Sequence, residues 1–300
     1  MPTATLTVII PAYESQSILP RALRSLAAQS CQDFEVLLVS DDGFDYSDMV
    51  RAELGERFGH AFTPRLKSGA GVARQTGIAL SETAVVGFLD ADDEFSPRLI
   101  EKLLPLAQAQ GAAGSAVLRV DAAKPSGAVR TIPAGMPKGG ILKAKHIPWL
   151  DAPVVPFVRQ DRLRPWPALG HFEDVFFLLD VVARAGGEMP VVSDDDASYR
   201  VFADATHWFA ESFRDALVSR FFDEVIAQAR SGGSLFEDVS PEARQAFLSS
   251  YLLKSVRNAA YERAKRREPD LTFRQFSPRF DVTMAALVAQ VPTHLQPWAD

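Results

Sequence analysis

The sequence predicts an α/β fold: a mostly parallel sheet flanked by helices, followed by a helical C-terminal subdomain. Three observations carry this. Short, nearly continuous apolar runs recur at Thr5–Pro11 (TLTVIIP), Phe34–Ser40 (FEVLLVS) and Ala84–Leu89 (AVVGFL), the pattern of strands buried on both faces. Stretches of helical periodicity separate them, which favours parallel strands joined by crossovers. After Asp204 the strand pattern stops and only helical segments follow.

The elements follow in order. Leu19, Leu23 and Leu26 fall at spacings of four and three, so a helix is expected over about 18–29. Residues 47–58 and 70–80 are expected as two further helices, the second opened by Gly69 and Gly71. Ser96 is expected to cap the next helix, with Pro97 at its first position, where the missing N–H needs no partner. That helix is expected to end near Gln110, giving the order β-α-β-α-α-β-α. From Gly111 to Pro167 the chain is rich in Gly and Pro, with short strands such as 115–120. This reads as an excursion that builds a binding surface. A helix over 173–185 is expected to end in a left-handed cap at Gly186-Gly187. Short strands near 189–192 and 197–202 complete a first domain, 1–205. The second, 206–300, is expected to hold helices over 207–230, 241–265 and 280–290, with Ser231-Gly-Gly-Ser as a linker.

Composition narrows the class. The chain has 300 residues, 47% of them hydrophobic, enough for a large α/β domain and an appended piece. Charged residues make up 23%, as in ordinary soluble proteins. A net charge of -6 argues against nucleic acid as the main partner. The one cysteine, Cys31, allows neither an internal disulfide nor a zinc-binding pair. The opening residues MPTATLT lack the basic and long apolar regions of a signal peptide, and no run approaches the roughly 20 apolar residues of a membrane span. A soluble, cytoplasmic protein is expected, with peripheral contact at the inner face of the plasma membrane as an extension of that reading.

The chemistry concentrates in carboxylates placed after strands. Asp90-Ala-Asp92-Asp93-Glu94 directly follows AVVGFL. In open α/β sheets, ligands bind outside the carboxyl ends of strands. Clustered carboxylates repel one another unless a cation compensates, and oxygen donors suit Mg²⁺ or Mn²⁺ bridging to substrate phosphates. The structural alternative is a solvated acidic loop opening a helix. Ser40-Asp41-Asp42-Gly43 places a second pair after the second run. It can accept from a uracil N–H or a ribose hydroxyl, or simply form a type I turn. Between the two lies Gly69–Gly77 (GAGVARQTG), whose glycines permit close backbone approach and whose Arg74 can face a base or phosphate. Glu173 and Asp174 open the later helix, whose N-terminus favours their ionised forms.

Taken together, VIIPAYE (8–14), LVSDDG (38–43), GAGVARQTG (69–77), FLDADD (88–93) and HFED (171–174) resemble the family 2 glycosyltransferases of GT-A fold. Each motif is short; the specificity lies in their order and spacing over roughly residues 5–202. The resemblance implies a Rossmann-like GT-A domain that takes a nucleotide-sugar donor, a UDP-sugar in the first instance. Pro11, Tyr13 and Glu14 would lie beside the nucleotide, Asp42 on the base with Asp41 nearby, and Arg74 at the nucleotide. Asp92 and Asp93 would form the metal and ribose-diphosphate site, with Asp90 at the first position of the motif and Mg²⁺ or Mn²⁺ as the cofactor. Asp174 would be the general base, with Glu173 beside it. The family inverts the anomeric carbon, and its acceptors are carbohydrates or lipid-linked saccharides of cell-surface polysaccharide and glycoconjugate synthesis. The sequence departs from the pattern at Gln75, where Asn is usual, and at Phe44, where Ser is common. His usually follows the Tyr-Arg pair shortly; here Tyr199-Arg200 leads to Phe202, and the nearest histidine is His207.

Such a site suits the reaction. A leaving nucleoside diphosphate gathers negative charge that a carboxylate-held cation stabilises, and a carboxylate base activates the weakly nucleophilic acceptor hydroxyl. Rival classes fit less well. Pro11-Ala-Tyr-Glu replaces the GxGxxG turn of a nicotinamide dehydrogenase, and neither a P-loop nor a GxSxG elbow occurs. A sugar nucleotidyltransferase would need a Gly-rich, basic loop where PAYESQS stands. A non-catalytic nucleotide-sugar-binding or scaffold protein would not need both the acidic and the Glu-Asp motifs. Asp194-Asp195-Asp196 reads as a solvated turn, His171 as a loop residue with contact to the acceptor as the alternative, and His60, His146 and His294 as incidental. Lys254, Arg257, Arg263, Lys265, Arg266 and Arg267 crowd the end of an amphipathic helix. They complement its dipole or meet anionic lipid.

Overall fold

A computed structural model describes residues 4–121, 124–131, 140–150, 154–167, 169, 172–202, 217–271 and 275–276. The chain divides into two compact units. The first comprises 1–132, 136–143 and 151–204, and the second 133–135, 144–150 and 205–300.

The first unit is built on an eight-stranded sheet. In chain order its elements begin β1 (Leu6–Ala12), α1 (Leu19–Ala27), β2 (Phe34–Ser40), α2 (Ser47–Leu54), β3 (Phe58–Phe62), α3 (Ala70–Leu80), β4 (Val85–Phe88), β5 (Glu94–Phe95) and α4 (Leu99–Gln110). They continue with β6 (Ala112–Ser115), β7 (Val117–Asp121), β8 (Lys124–Thr131), β9 (Ile141–Lys143), β10 (Phe157–Arg159), α5 (Glu173–Arg184), β11 (Glu188–Val192) and β12 (Tyr199–Phe202). The sheet order is β3-β2-β1-β4-β10-β6-β11-β9, with β5-β12-β7-β8 as a second sheet. β3, β2, β1 and β4 run parallel, and β10 enters antiparallel beside β4.

Register sets where the site forms. Ala12 pairs with Ser40, and Ser40 with Phe62, while Phe88 pairs with Ile9. The carboxyl ends of four strands therefore line one edge, where their following loops gather. The apolar run of β1 is buried on both faces, as Leu6, Val8, Ile9 and Ile10. α1 lays Leu19, Ala22, Leu23 and Leu26 on one side, and α3 crosses the other. Gly77 is what lets α3 approach: a Cβ there would fall 2.5 Å from Ile9 Cγ2.

Several expectations are corrected. The helix expected over 47–58 stops at Leu54, where Gly55 takes φ 67°. Phe58 then opens β3, an extra parallel strand, so helix and strand alternate strictly through α3. FGHAF was illegible because it is an edge strand with only partial burial. Ser96 does not cap α4. Its hydroxyl bonds the Ser198 hydroxyl at 2.7 Å, and the helix starts at Leu99 with no side-chain cap. The strand expected over 115–120 is two strands in different sheets. Ala116 turns the chain between them, donating to the Val192 carbonyl and accepting from Tyr199 N–H. The glycine stop after α5 is as expected, with Gly186 and Gly187 both at φ 89°.

In the second unit, α6 (Leu217–Ser231) and α7 (Pro241–Lys265) are joined through Gly232, at φ 71°, and Gly233. Ser240 Oγ accepts from Ala243 N–H and Pro241 stands at the first turn, a strong helix start. Tyr251 meets Phe221, Phe222 and Phe247 edge-on or stacked. Lys254, one of the basic residues of α7, donates to the Pro148 carbonyl at 2.9 Å. Of the expected helix over 207–230, the described part starts at 217, and the one over 280–290 lies outside the described residues. No described helix is long and apolar enough to cross a membrane.

Gly77→Ala is expected to destabilise the protein by about 1–3 kcal/mol through overpacking against Ile9. Thermal unfolding should show a melting point lower by a few degrees.

Candidate active site

The edge formed by β1 and β2 is knit by two carboxylates. Asp42 accepts from Glu14 N–H (2.7 Å), Tyr46 hydroxyl (2.8 Å), Ser40 hydroxyl (2.9 Å) and Phe44 N–H (3.0 Å). Burial raises the Asp42 pKa, but these hydrogen bonds outweigh it and leave the carboxyl below its ordinary value. Glu14 is held at φ 49°, a strained left-handed conformation that its N–H bond to Asp42 helps to fix. Asp41 is buried and accepts from Thr63 hydroxyl (2.7 Å), Ser68 N–H (2.9 Å) and Gly69 N–H (2.7 Å). Asp42 was expected on the base, with Asp41 nearby; in the structure both carboxylates also fix the turns at this strand edge. Pro11 lies within β1. Tyr13 is 39% exposed, with Lys67 Nζ 5.9 Å from its ring centre. That pair offers a stacking face and a cation at the surface.

The acidic loop after β4 is braced from β12. Asp90 N–H donates to the Tyr199 hydroxyl at 3.0 Å, and that hydroxyl bonds the Asp93 carboxylate. Asp93 is 5% exposed and also accepts from Phe202 N–H at 3.3 Å. Arg21 donates to the Asp92 carbonyl and lies 3.8 Å over the Phe202 ring. Burial, then the neighbouring charges of Asp90 and Asp92, push the Asp93 carboxyl well above its ordinary range. Among the described residues no three or more His, Cys, Asp or Glu side chains are arranged to hold a metal ion by themselves.

Arg74 links this loop to α5. It projects from α3, is 8% exposed, and pairs with Asp90 at 2.5 Å and Glu173 at 3.4 Å. Burial would lower its pKa, yet Asp90, Glu173 and Asp174 outweigh that and hold the guanidinium charged. It was expected at the nucleotide, and in the structure it lies between two carboxylates. Asp174, in the first turn of α5, is pushed up to about 6 by burial and by Glu173, with Arg74 pulling the other way. The helix N-terminus was expected to favour its ionised form. Burial prevails.

Asp90, Asp93, Arg74, Glu173 and Asp174 thus share one charged network, while Asp41 and Asp42 form another at the neighbouring strand ends. Sequence reading named Gln75 and Tyr199 without a contact for either and missed Arg21 and Trp166; the contacts of all four join elements far apart in the chain. Tyr199-Arg200 was a visible motif without an assigned task. His171, His207 and His294 lie outside the described residues. Asp196 pairs with Arg98 at 3.2 Å, a structural role for the second acidic run. His60 sits in β3, 3.6 Å from Asp45, and His146 is buried in the 144–149 turn.

Removing the Asp41 carboxylate leaves the Ser68 and Gly69 N–H groups without their acceptor, while the Thr63 hydroxyl keeps the Arg65 carbonyl at 2.8 Å. Asp41→Ala is expected to cost about 1–3 kcal/mol. Hydrogen exchange should accelerate at residues 63–69.

Residues 7–148 match the family model described as glycosyl transferase family 2. The chain is 32% identical over 106 residues to the uncharacterized glycosyltransferase YibD of Escherichia coli, covering 35% of this chain and 31% of that protein. It is 36% identical over 99 residues to the succinoglycan biosynthesis protein ExoW of Rhizobium meliloti, 31% of each. Each match spans less than a third of the relative's own length. Among solved structures, S. aureus TarS 1–349 in complex with UDP-GlcNAc has a TM-score of 0.62 at 15% identity, over 98% of this chain and 83% of that one. The mannosyltransferase PcManGT from Pyrobaculum calidifontis, in complex with GDP-Man and Mn²⁺, has a TM-score of 0.56 at 16% identity, over 98% and 86%. At such identities the likeness is one of fold, the GT-A fold of glycosyltransferases. The likeness to glycosyl transferase family 2 thus extends over residues 7–148, just under half of the chain.

Proposed function

We propose that this protein is an inverting glycosyltransferase that moves a hexose from a nucleotide-sugar donor to an acceptor hydroxyl. One observation carries the reading: a single buried guanidinium, Arg74, bridges the acidic loop after β4 and the carboxylate pair that opens α5. A leaving-group site and a base site are thereby held in one network.

The residues fit a divalent cation. Asp93 is a buried carboxyl crowded by two others, an arrangement that a positive charge relieves. Mg²⁺ and Mn²⁺ are usually held by one or two carboxylates plus substrate phosphates, and Asp92 and Asp93 would supply the protein share. When bound, the ion would stabilise charge on the departing diphosphate. The chain's own task is positioning and proton transfer. Asp174 accepts the proton of the acceptor hydroxyl as its oxygen attacks the anomeric carbon. The bond from that carbon to the diphosphate breaks on the opposite side, so configuration inverts. A base with a pKa of about 6 is mostly ionised at neutral pH yet still basic enough to assist.

A UDP-sugar donor is favoured by the UDP-GlcNAc bound in TarS, and an acceptor in polysaccharide synthesis by the name of ExoW. A lipid-linked acceptor would be met at the inner face of the plasma membrane, with peripheral contact.

Asp174→Asn is expected to lower kcat by about 10²–10⁴-fold and to leave donor binding, read by calorimetry, intact. In the parent enzyme kcat should rise with pH through about 6 and then level. Donor binding should strengthen with Mn²⁺ and lose that dependence in Asp93→Asn. Unfolding is separable from chemistry. The protonated Asp174 carboxyl favours the folded state below its unfolded pKa, and this contribution is lost as pH rises through about 6. Asp174→Asn should therefore melt no lower than the parent at pH 7.5. A variant that transfers sugar normally sinks the assignment of the base; a parent protein that binds no donor sinks the function.

A further inference from the structure

Beyond the carboxylates, the site contains an aromatic clamp. The segment Arg164-Pro165-Trp166-Pro167 is stiff, because each proline fixes its own φ and restricts the residue before it. Of residues 165–167, only Trp166 carries a backbone N–H. That N–H donates to Gln75 Oε1 at 2.6 Å, and Gln75 is the neighbour of Arg74 on α3. The indole then touches the three elements that build the site. It stacks on Phe177 of α5 with centroids 4.0 Å apart and planes 16° apart. It meets Phe88 of β4 edge-on at 5.1 Å. The Arg74 guanidinium carbon lies 5.0 Å from its ring centre. Trp166 is 8% exposed, and its seat depends on Gly71, where a Cβ would fall 3.1 Å from indole Cδ1.

We propose that Gln75 and Trp166 are positioning residues for the transfer reaction: they seat the Arg74 guanidinium between Asp90 and Glu173 and so hold the base in register with the acidic loop. The inference rests on the transferase reading for its catalytic consequence, but its geometry stands independently. An indole face against a guanidinium supplies a cation–π attraction and excludes water, which strengthens both ion pairs. Arg74 has a flexible side chain, and this wall restricts its direction. The Gln75 amide is long enough to reach the Trp166 backbone.

The groups facing Asp174 are Glu173 on its own helix, Arg74 from α3 and Asp90 from the loop after β4. Arg74 is the cation among them. Misplacing it should raise the pH at which Asp174 ionises.

The test uses the full chain with 5-fluorotryptophan incorporated, its Trp166 resonance identified by loss in Trp166→Phe. Gln75→Ala and Gln75→Asn are expected to move this resonance and increase its solvent-isotope shift. Kinetically, Gln75→Ala and Trp166→Ala should lower kcat about 10- to 100-fold, with donor KM changed by no more than about twofold. The acid limb of the kcat profile should move upward in both. Trp166→Phe keeps an aromatic wall and should recover most of kcat and the parent limb. An unmoved Trp166 resonance in Gln75→Ala overturns the inference, as does a fall in kcat with the acid limb unshifted. Should the parent transfer no sugar from any donor, the function falls. The positioning inference is then decided by the resonance and by NMR titration of the Asp174 carboxyl, which must rise in Trp166→Ala.

Discussion

The site depends on one constraint: a guanidinium on α3, 8% exposed, must be neutralised where little water reaches it. An isolated buried charge is strongly unfavourable. Arg74 meets that demand with Asp90 and Glu173, residues that follow β4 and open α5. The pairing therefore fixes the geometry between the loop at Asp90 and the helix start at Glu173, far apart in the chain. It also explains why several carboxylates can share a small volume. Arg74 offsets part of their repulsion, and the remainder is borne by Asp93 and Asp174, whose carboxyls are both raised.

The two carboxylate groups at this edge behave differently because their surroundings differ. Asp42 is surrounded by donors and is held ionised; it works as a structural tie, as Asp41 does. Asp93 and Asp174 have fewer donors and more carboxylate neighbours. Those are the groups with something to gain from a cation or a proton, as the proposed departure of a nucleoside diphosphate and abstraction of a hydroxyl proton would require. Hydrogen bonds are concentrated at the turns, and crowded carboxylates at the proposed site.

Much of this was legible in the sequence. The continuous apolar runs announced β1, β2 and β4, and Gly186-Gly187 announced the end of α5, because those signals are local. The motif order placed Asp90–Asp93 and Glu173–Asp174 correctly at element ends. What was hidden were long-range partnerships. Nothing local in YRVF indicates that the Tyr199 hydroxyl braces Asp90 and Asp93, and nothing in RPWP indicates that its N–H is held by Gln75. β3 escaped because an edge strand carries little apolar signal. The state of Asp174 also escaped, since a helix N-terminus and burial act in opposite directions and only packing decides between them.

The coupling between Arg74 and Asp174 is the centre of this account, and it is measurable without any substrate. Carbon-13 NMR titration of the Asp174 carboxyl should give a midpoint of about 6 in the parent protein and a clearly higher one in Arg74→Gln. A parent midpoint near the ordinary 3.8, or a value of about 6 that the substitution leaves in place, would contradict the account.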